Sequence, residues 1–147
     1  MLHYSPREAA MHNNNLYQSE TKKSIPDFIS AFDSIAQKSG FIIHNADTMN
    51  MANTFGQHGV EIAPEFDLHM MQICKPEKAA KSLAANPERA VLMPKYIMLF
   101  TKNGATQIRF LRFGAEDISA IVDDQVFPGS LAETYERIVA IIEEARV

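Results

Sequence analysis

Apolar residues along the chain repeat with two different periods, and the change from one to the other outlines the fold. Phe28, Ala31, Phe32, Ile35 and Ala36 recur three and four residues apart, the spacing that lines one face of an α-helix. Ser24 with Asp27 three residues later forms a near capping box, and Gly40 supplies a left-handed stop, so the pattern predicts a helix between them. Leu131, Tyr135, Ile138, Ile142 and Ala145 repeat in the same way. Ser130 with Glu133 reads as the capping box that starts this second helix. Two apolar runs, Tyr96 to Thr101 and Thr106 to Phe113, instead flank Lys102-Asn103-Gly104-Ala105. Asn-Gly readily takes the positive φ values of a two-residue turn, which predicts a β-hairpin.

Shorter signals fill the intervals. Leu16 to Thr21, Phe41 to Ile43 and Phe66 to Ile73 read as strands. Pro76 and Glu77 mark a helix start, and Asn86-Pro87 ends that helix, because proline disfavours helical geometry at the residue before it. Residues 115 to 122 suit a small helical turn, and residues 48 to 65, with Gly56, Gly59 and Pro64, read as a connector. The first fourteen residues, with Pro6 and Asn13-Asn14-Asn15, show little periodicity and read as a flexible segment ahead of a single domain at 15–147. The order is β-α-β-β-(short α)-β-β-α. Strands grouped together predict an α+β fold, a mainly antiparallel sheet of four to five strands with its helices on one face. The hairpin's second strand carries apolar groups in both registers, Ile108 and Phe110 against Leu111 and Phe113, which suggests that a dimer partner covers the other face.

Composition narrows the partners. The 147 residues are 46% hydrophobic and 22% charged, ordinary usage for a chain that builds its own core. The formal charge of -4 is interspersed, with no basic run longer than Lys22-Lys23. A nucleic-acid partner is not expected, since that binding draws on a cationic face. No stretch approaches the roughly 20 apolar residues of a membrane span, and the opening residues lack the pattern of a secretory signal. Cys74 is the sole cysteine and demands no oxidising compartment. A cytoplasmic chain is the expectation, although a mature exported one would read the same.

The stretch QICKPEKAAKSLAANPERAVLMPKYIMLF, residues 72–100, resembles the family catalogued as domain of unknown function 302. That family's pattern is a strand, Cys-Asn-Pro, a short alanine-rich helix, an Asp-Pro or Asn-Pro break, and a strand opening Leu-Pro-Cys. A hairpin with a glycine turn and a final helix follow, matched by Lys102-Asn103-Gly104 and residues 130–146. The resemblance spans roughly residues 15–146. It implies a TATA-binding-protein-like fold and a dimer, and brings no established activity or cofactor. Two positions depart: Lys75 replaces the asparagine, and Lys95 follows Pro94 where the family has cysteine. Any chemistry that uses two cysteines together is closed to this chain.

Three sets of residues can carry chemistry. Cys74, between a strand and a helix N-terminus, sits where free amides and the helix dipole favour a thiolate, and Lys95 could assist it; the plainer alternative is a small buried hydrophobe. His44, Met49, Met51, His58, His69, Met70, Met71 and Cys74 offer ligands for copper(I) or haem iron. Along a strand, however, His69 and Met71 face one side while Met70 and Cys74 face the other, so they do not all converge. Asn50 to Glu61 could form a lid with His58 as acid or base. Asp123-Asp124 and Glu143-Glu144 read as solvated surface, and nucleotide-binding and Gly-x-Ser-x-Gly patterns are absent.

The expected function is a dimeric module that binds a small ligand or a partner, with Cys74, Lys95, His58 and His44 as candidate ligand-binding residues and Cys74 as candidate reactive thiol. Two rival readings are a thiol-dependent redox or sulfur-transfer protein acting through Cys74, and a soft-metal or haem carrier using His69 and Met71.

Overall fold

The computed structural model describes residues 15–147, so the segment 1–14 lies outside the described residues. Five strands form one antiparallel sheet in the order β1-β5-β4-β3-β2. They are β1 Leu16–Thr21, β2 Ile42–Ile43, β3 His69–Cys74, β4 Tyr96–Lys102 and β5 Ala105–Leu111. The helices are α1 Ile25–Lys38, α2 Met51–Gln57, α3 Pro76–Ala85, α4 Ala115–Ile121 and α5 Phe127–Ala145, with a 3-10 turn at Pro87–Leu92. This is the α+β architecture that the grouping of strands implies.

Side-chain alternation sets the sheet's two faces. Tyr17, Ile108, Phe110, Ile97, Leu99, Met71 and Ile73 share the inner register and are buried. Against them α1 lays Phe28, Phe32 and Ala36, and α5 lays Leu131, Tyr135, Ile138 and Ile142, all buried. Phe28 and Phe32 stack at 6.1 Å between ring centroids, while Tyr135 meets Phe110 and Phe113 edge-on at 5.9 and 6.0 Å. Each such side chain stabilises the fold by roughly 1.5–3 kcal/mol through area removed from water. No helix among the described residues is long and apolar enough to cross a membrane.

The turns follow local chemistry. Ser24 caps α1 by accepting from the Asp27 amide at 3.2 Å, as its capping pattern predicts. The hairpin closes on Asn103 and Gly104 at φ values of 56° and 74°, the pair of positive angles that a type I′ turn needs.

Five expectations require correction. The connector at 48–65 contains α2, because Asn50 accepts from the amides of Ala52 and Asn53 and so caps a helix start. β3 begins at His69 instead of Phe66. β5 ends at Leu111, and Phe113 turns back onto Tyr135, so it does not belong to the open face. α5 begins at Phe127, three residues before the expected Ser130 cap, because Asp124 accepts from the Val126 and Phe127 amides at 2.9 and 2.8 Å and initiates the first turn there. Asp124 is consequently not a solvated acid: its side chain is 7% exposed and ion-paired to Arg89.

Candidate functional site

β3 ends in a polar crossing point. Cys74 pairs with Ile42, and the Ile73 amide donates to the Lys95 carbonyl at 2.9 Å, which brings the residue preceding β4 alongside the last residues of β3. The chain between them, α3 and the 3-10 turn, arches over this end of the sheet. Pro76 in the first turn starts α3 without a side-chain cap, so the helix presents its uncapped, dipole-positive end beside Cys74. Gly40 lets the chain approach closely here. Its φ is 80°, and a Cβ placed on it would stand 3.3 Å from the Lys75 Cε. The Lys75 ammonium lies over the Phe41 ring, 5.4 Å from its centroid, a cation–π contact.

His44 is held in place by its backbone. Its amide donates to the Gln72 carbonyl at 2.8 Å, and the Asn45 side chain bridges Met70 and Gln72, donating to the Met70 carbonyl at 2.9 Å and accepting from the Gln72 amide at 2.8 Å. The outcome is a cavity of about 210 Å³ under α3, closed on its far side by the start of α5. His44, Cys74 and Lys95 all line it, together with Lys75, Lys78 and Thr134. Its apolar wall is Phe41, Ile73, Leu83, Met93, Phe127 and Leu131. No aspartate or glutamate among the described residues lines it.

The two deeper lysines are bound to neutral oxygens. Lys78 Nζ donates to Thr134 Oγ1 at 2.6 Å and to the Ser130 carbonyl at 3.2 Å. Lys95 Nζ donates to the Met93 carbonyl at 3.0 Å. Among the described residues neither lysine has a carboxylate within ion-pairing distance. Burial lowers the pKa of both. For Lys78 the charge of Lys75 adds to that lowering and Glu133 opposes it. For Lys95 Cys74 opposes burial and the charge of Lys78 reinforces it. An amine loses part of its charge preference when water is withdrawn and like charges stand nearby.

The remaining candidates lie elsewhere. His58 is exposed at the C-terminal end of α2. His69 stands at the opposite end of β3 from Cys74, its Nδ1 3.0 Å from the Asp67 carbonyl. The Met71 side chain is fully enclosed by the core, so its thioether fills space and meets no ligand. Among the described residues no three His, Cys, Asp or Glu side chains are grouped to hold a metal ion.

Sequence reasoning overlooked Lys78 and Thr134. Lys75, Lys78 and Ser82 fall on the same stripe of α3 as Ala79 and Leu83, and this mixed polar stripe on an alanine-rich helix was the available signal. The Asp124 cap was also readable, as an acid three residues ahead of a Phe-Pro helix start.

Comparison with known proteins agrees with the architecture. No curated protein resembles the sequence closely enough to count as a match. The crystal structure of an uncharacterized conserved protein DUF302 from Bacillus stearothermophilus superposes with a TM-score of 0.73 at 16% identity, covering 90% of this chain and 98% of that one. At that identity the likeness speaks for the fold. The family described as "Domain of unknown function DUF302" matches residues 17–145, nearly the whole chain, and the protein belongs to it.

Proposed function

We propose that this domain binds a small organic anion, with a carboxylate-sized head and a short apolar body, in the cavity beneath α3. The observation that carries the reading is the lining: three lysines, no acid among the described residues, and an apolar wall. In a protein of net charge -4, a pocket so biased toward cations favours a negative ligand through direct charge pairing and the helix end beside it. The volume of about 210 Å³ exceeds the roughly 150 Å³ of an apolar cavity that takes up benzene. A ligand of about that size fits.

The module is taken to act as a homodimer through its uncovered sheet face, and a cytoplasmic setting suits a chain with one unpaired thiol. The comparisons and the geometry lend no support to the rival thiol-redox and metal-carrier readings. Cys74 has no second thiol to resolve an oxidised sulfur, and the metal candidates are dispersed.

Titration calorimetry with sodium acetate, butyrate, hexanoate and inorganic phosphate tests the proposal. Butyrate and hexanoate are expected to bind more tightly than acetate or phosphate, since each buried methylene adds about 0.8 kcal/mol. Lys78→Gln is expected to weaken butyrate by about tenfold, the loss of one charge-assisted hydrogen bond. Absence of heat from any of the four anions at millimolar concentration would remove the reading.

A further inference from the structure

The three cavity lysines are not equivalent. Lys75 spends its charge on the Phe41 ring at 5.4 Å, a contact that needs the ammonium form. Lys78 donates to two oxygens, Thr134 Oγ1 and the Ser130 carbonyl, which also favours an ammonium held in a fixed direction. Lys95 has one such acceptor, the Met93 carbonyl at 3.0 Å. It is also the lysine that sits between the ends of β3 and β4, where Cys74 and His44 share the cavity. A desolvated lysine beside a second cation is the arrangement that makes an amine nucleophilic towards carbonyl carbon.

We propose that Lys95 captures the carbonyl carbon of a short oxo acid as a reversible imine, with Lys78 holding the acid's carboxylate. The proposal rests on the anion-binding reading and names the ligand's reactive group. The Nζ lone pair forms a bond to the carbonyl carbon, and the carbonyl oxygen takes up a proton to give a carbinolamine. Loss of that oxygen as water leaves a C=N bond. One amine and one carbonyl enter, one imine and one water leave, and no oxidant or reductant is needed. Cys74 and His44 line the same cavity and are the groups available there to hand over and take back the protons. The direction of the Lys95 pKa agrees with this role, since burial leaves more of the amine neutral.

The test treats the full chain with 2-oxobutyrate and sodium cyanoborohydride, which reduces an imine to a stable secondary amine, and maps the adduct by peptide mass spectrometry. One adduct per chain at Lys95 is expected, formed on the order of tenfold faster than at exposed Lys22, as for a desolvated amine. Butyrate, which has no keto group, is expected to suppress it by competition. Lys95→Arg is expected to lose the adduct. Should Lys95→Arg not fold by circular dichroism, the wild-type peptide map decides alone. Butyrate binding with no adduct at Lys95, or with label spread evenly over the lysines, overturns the imine and leaves the anion-binding reading standing. Failure of both butyrate binding and labelling overturns both.

Discussion

Arg89 and Asp124 form a forked ion pair, with Nε 2.7 Å from one carboxylate oxygen and Nη2 3.0 Å from the other. The pair joins the 3-10 turn after α3 to the linker before α5, and both side chains are largely buried, at 12% and 7% exposure. Arg89 also donates to the Ser82 carbonyl and hydroxyl at 3.3 and 3.1 Å, and its guanidinium lies 5.3 Å from the centroid of the Phe127 ring. Ser82 and Phe127 both line the cavity. One arginine thus ties the roof of the proposed site to its far wall, and Asp124 keeps that arginine neutralised.

Asp124→Asn keeps the shape of the side chain and removes its charge. Arg89 is then left buried without a counter-ion, which is more costly than replacing both partners together. The variant is expected to melt about 5 °C lower at neutral pH. Arg89→Met with Asp124→Asn is expected to lose less than the sum of the single changes. The pH dependence has a definite sign. Hydrogen bonds from Arg89 first, then from the Phe127 amide and Asn86, hold the Asp124 carboxyl well below its ordinary value of 3.8. Its contribution is therefore complete above that value and is lost as the pH falls below it. Melts at pH 7 and pH 3 should show the gap between wild type and Asp124→Asn narrowing in acid; a gap that stays constant would contradict the assignment.

Much of this fold was legible because its periods are strong. The helix of Phe28 and Phe32 and the hairpin at Asn103-Gly104 could be placed from spacing and turn chemistry alone. Two of the misplaced features share one cause: partners distant in sequence. Asp124 looks solvated beside Asp123 until Arg89, thirty-five positions away, is folded against it. Phe113 continues the strand pattern of β5, yet Tyr135 draws it out of the sheet. The site was half legible. Cys74 stood out at a strand-to-helix junction and Lys95 by its place after Pro94, whereas Lys78 became visible only when Thr134 of α5 met it across the cavity.

Tyr135 sets the behaviour in alkali. Its phenol lies in the core against Phe110 and Phe113, 3% exposed, and burial pushes its pKa up from 10.0 to about 12. The folded state thus keeps the proton where the unfolded chain releases it. The resulting stability is intact below pH 10 and is lost as the pH rises from 10 towards 12. Denaturant melts at pH 9 and pH 11 should show wild type losing more stability than Tyr135→Phe across that interval. Tyr17, whose pKa is raised by burial and by its bond to Glu143, contributes in the same direction in both proteins and cancels in the comparison. Parallel loss in the two proteins would mean that the Tyr135 phenol is not held protonated by the fold.

The uncovered face of the sheet is where the proposed homodimer would form. Leu16 and Leu111 are paired across β1 and β5 and remain 46% and 59% exposed, and Tyr96 on β4 is 37% exposed. Met98 and Phe100 share that outward register. The Arg109 guanidinium is absorbed within the face, packed over the Phe100 ring at 5.4 Å and bonded to the Ser19 carbonyl and the Gln107 side chain. An apolar sheet face of this kind pairs well with itself about a two-fold axis, provided each copy buries about 800 Å². Sedimentation at micromolar concentration is expected to give a particle of twice 16.5 kDa. Leu111→Arg places two like charges near that axis and is expected to yield the single chain, while butyrate affinity changes by less than about twofold, because the cavity lies at the β3 end of the sheet. A wild-type protein that sediments as one chain up to high micromolar concentration would rule out the homodimer and leave the cavity as a property of the monomer.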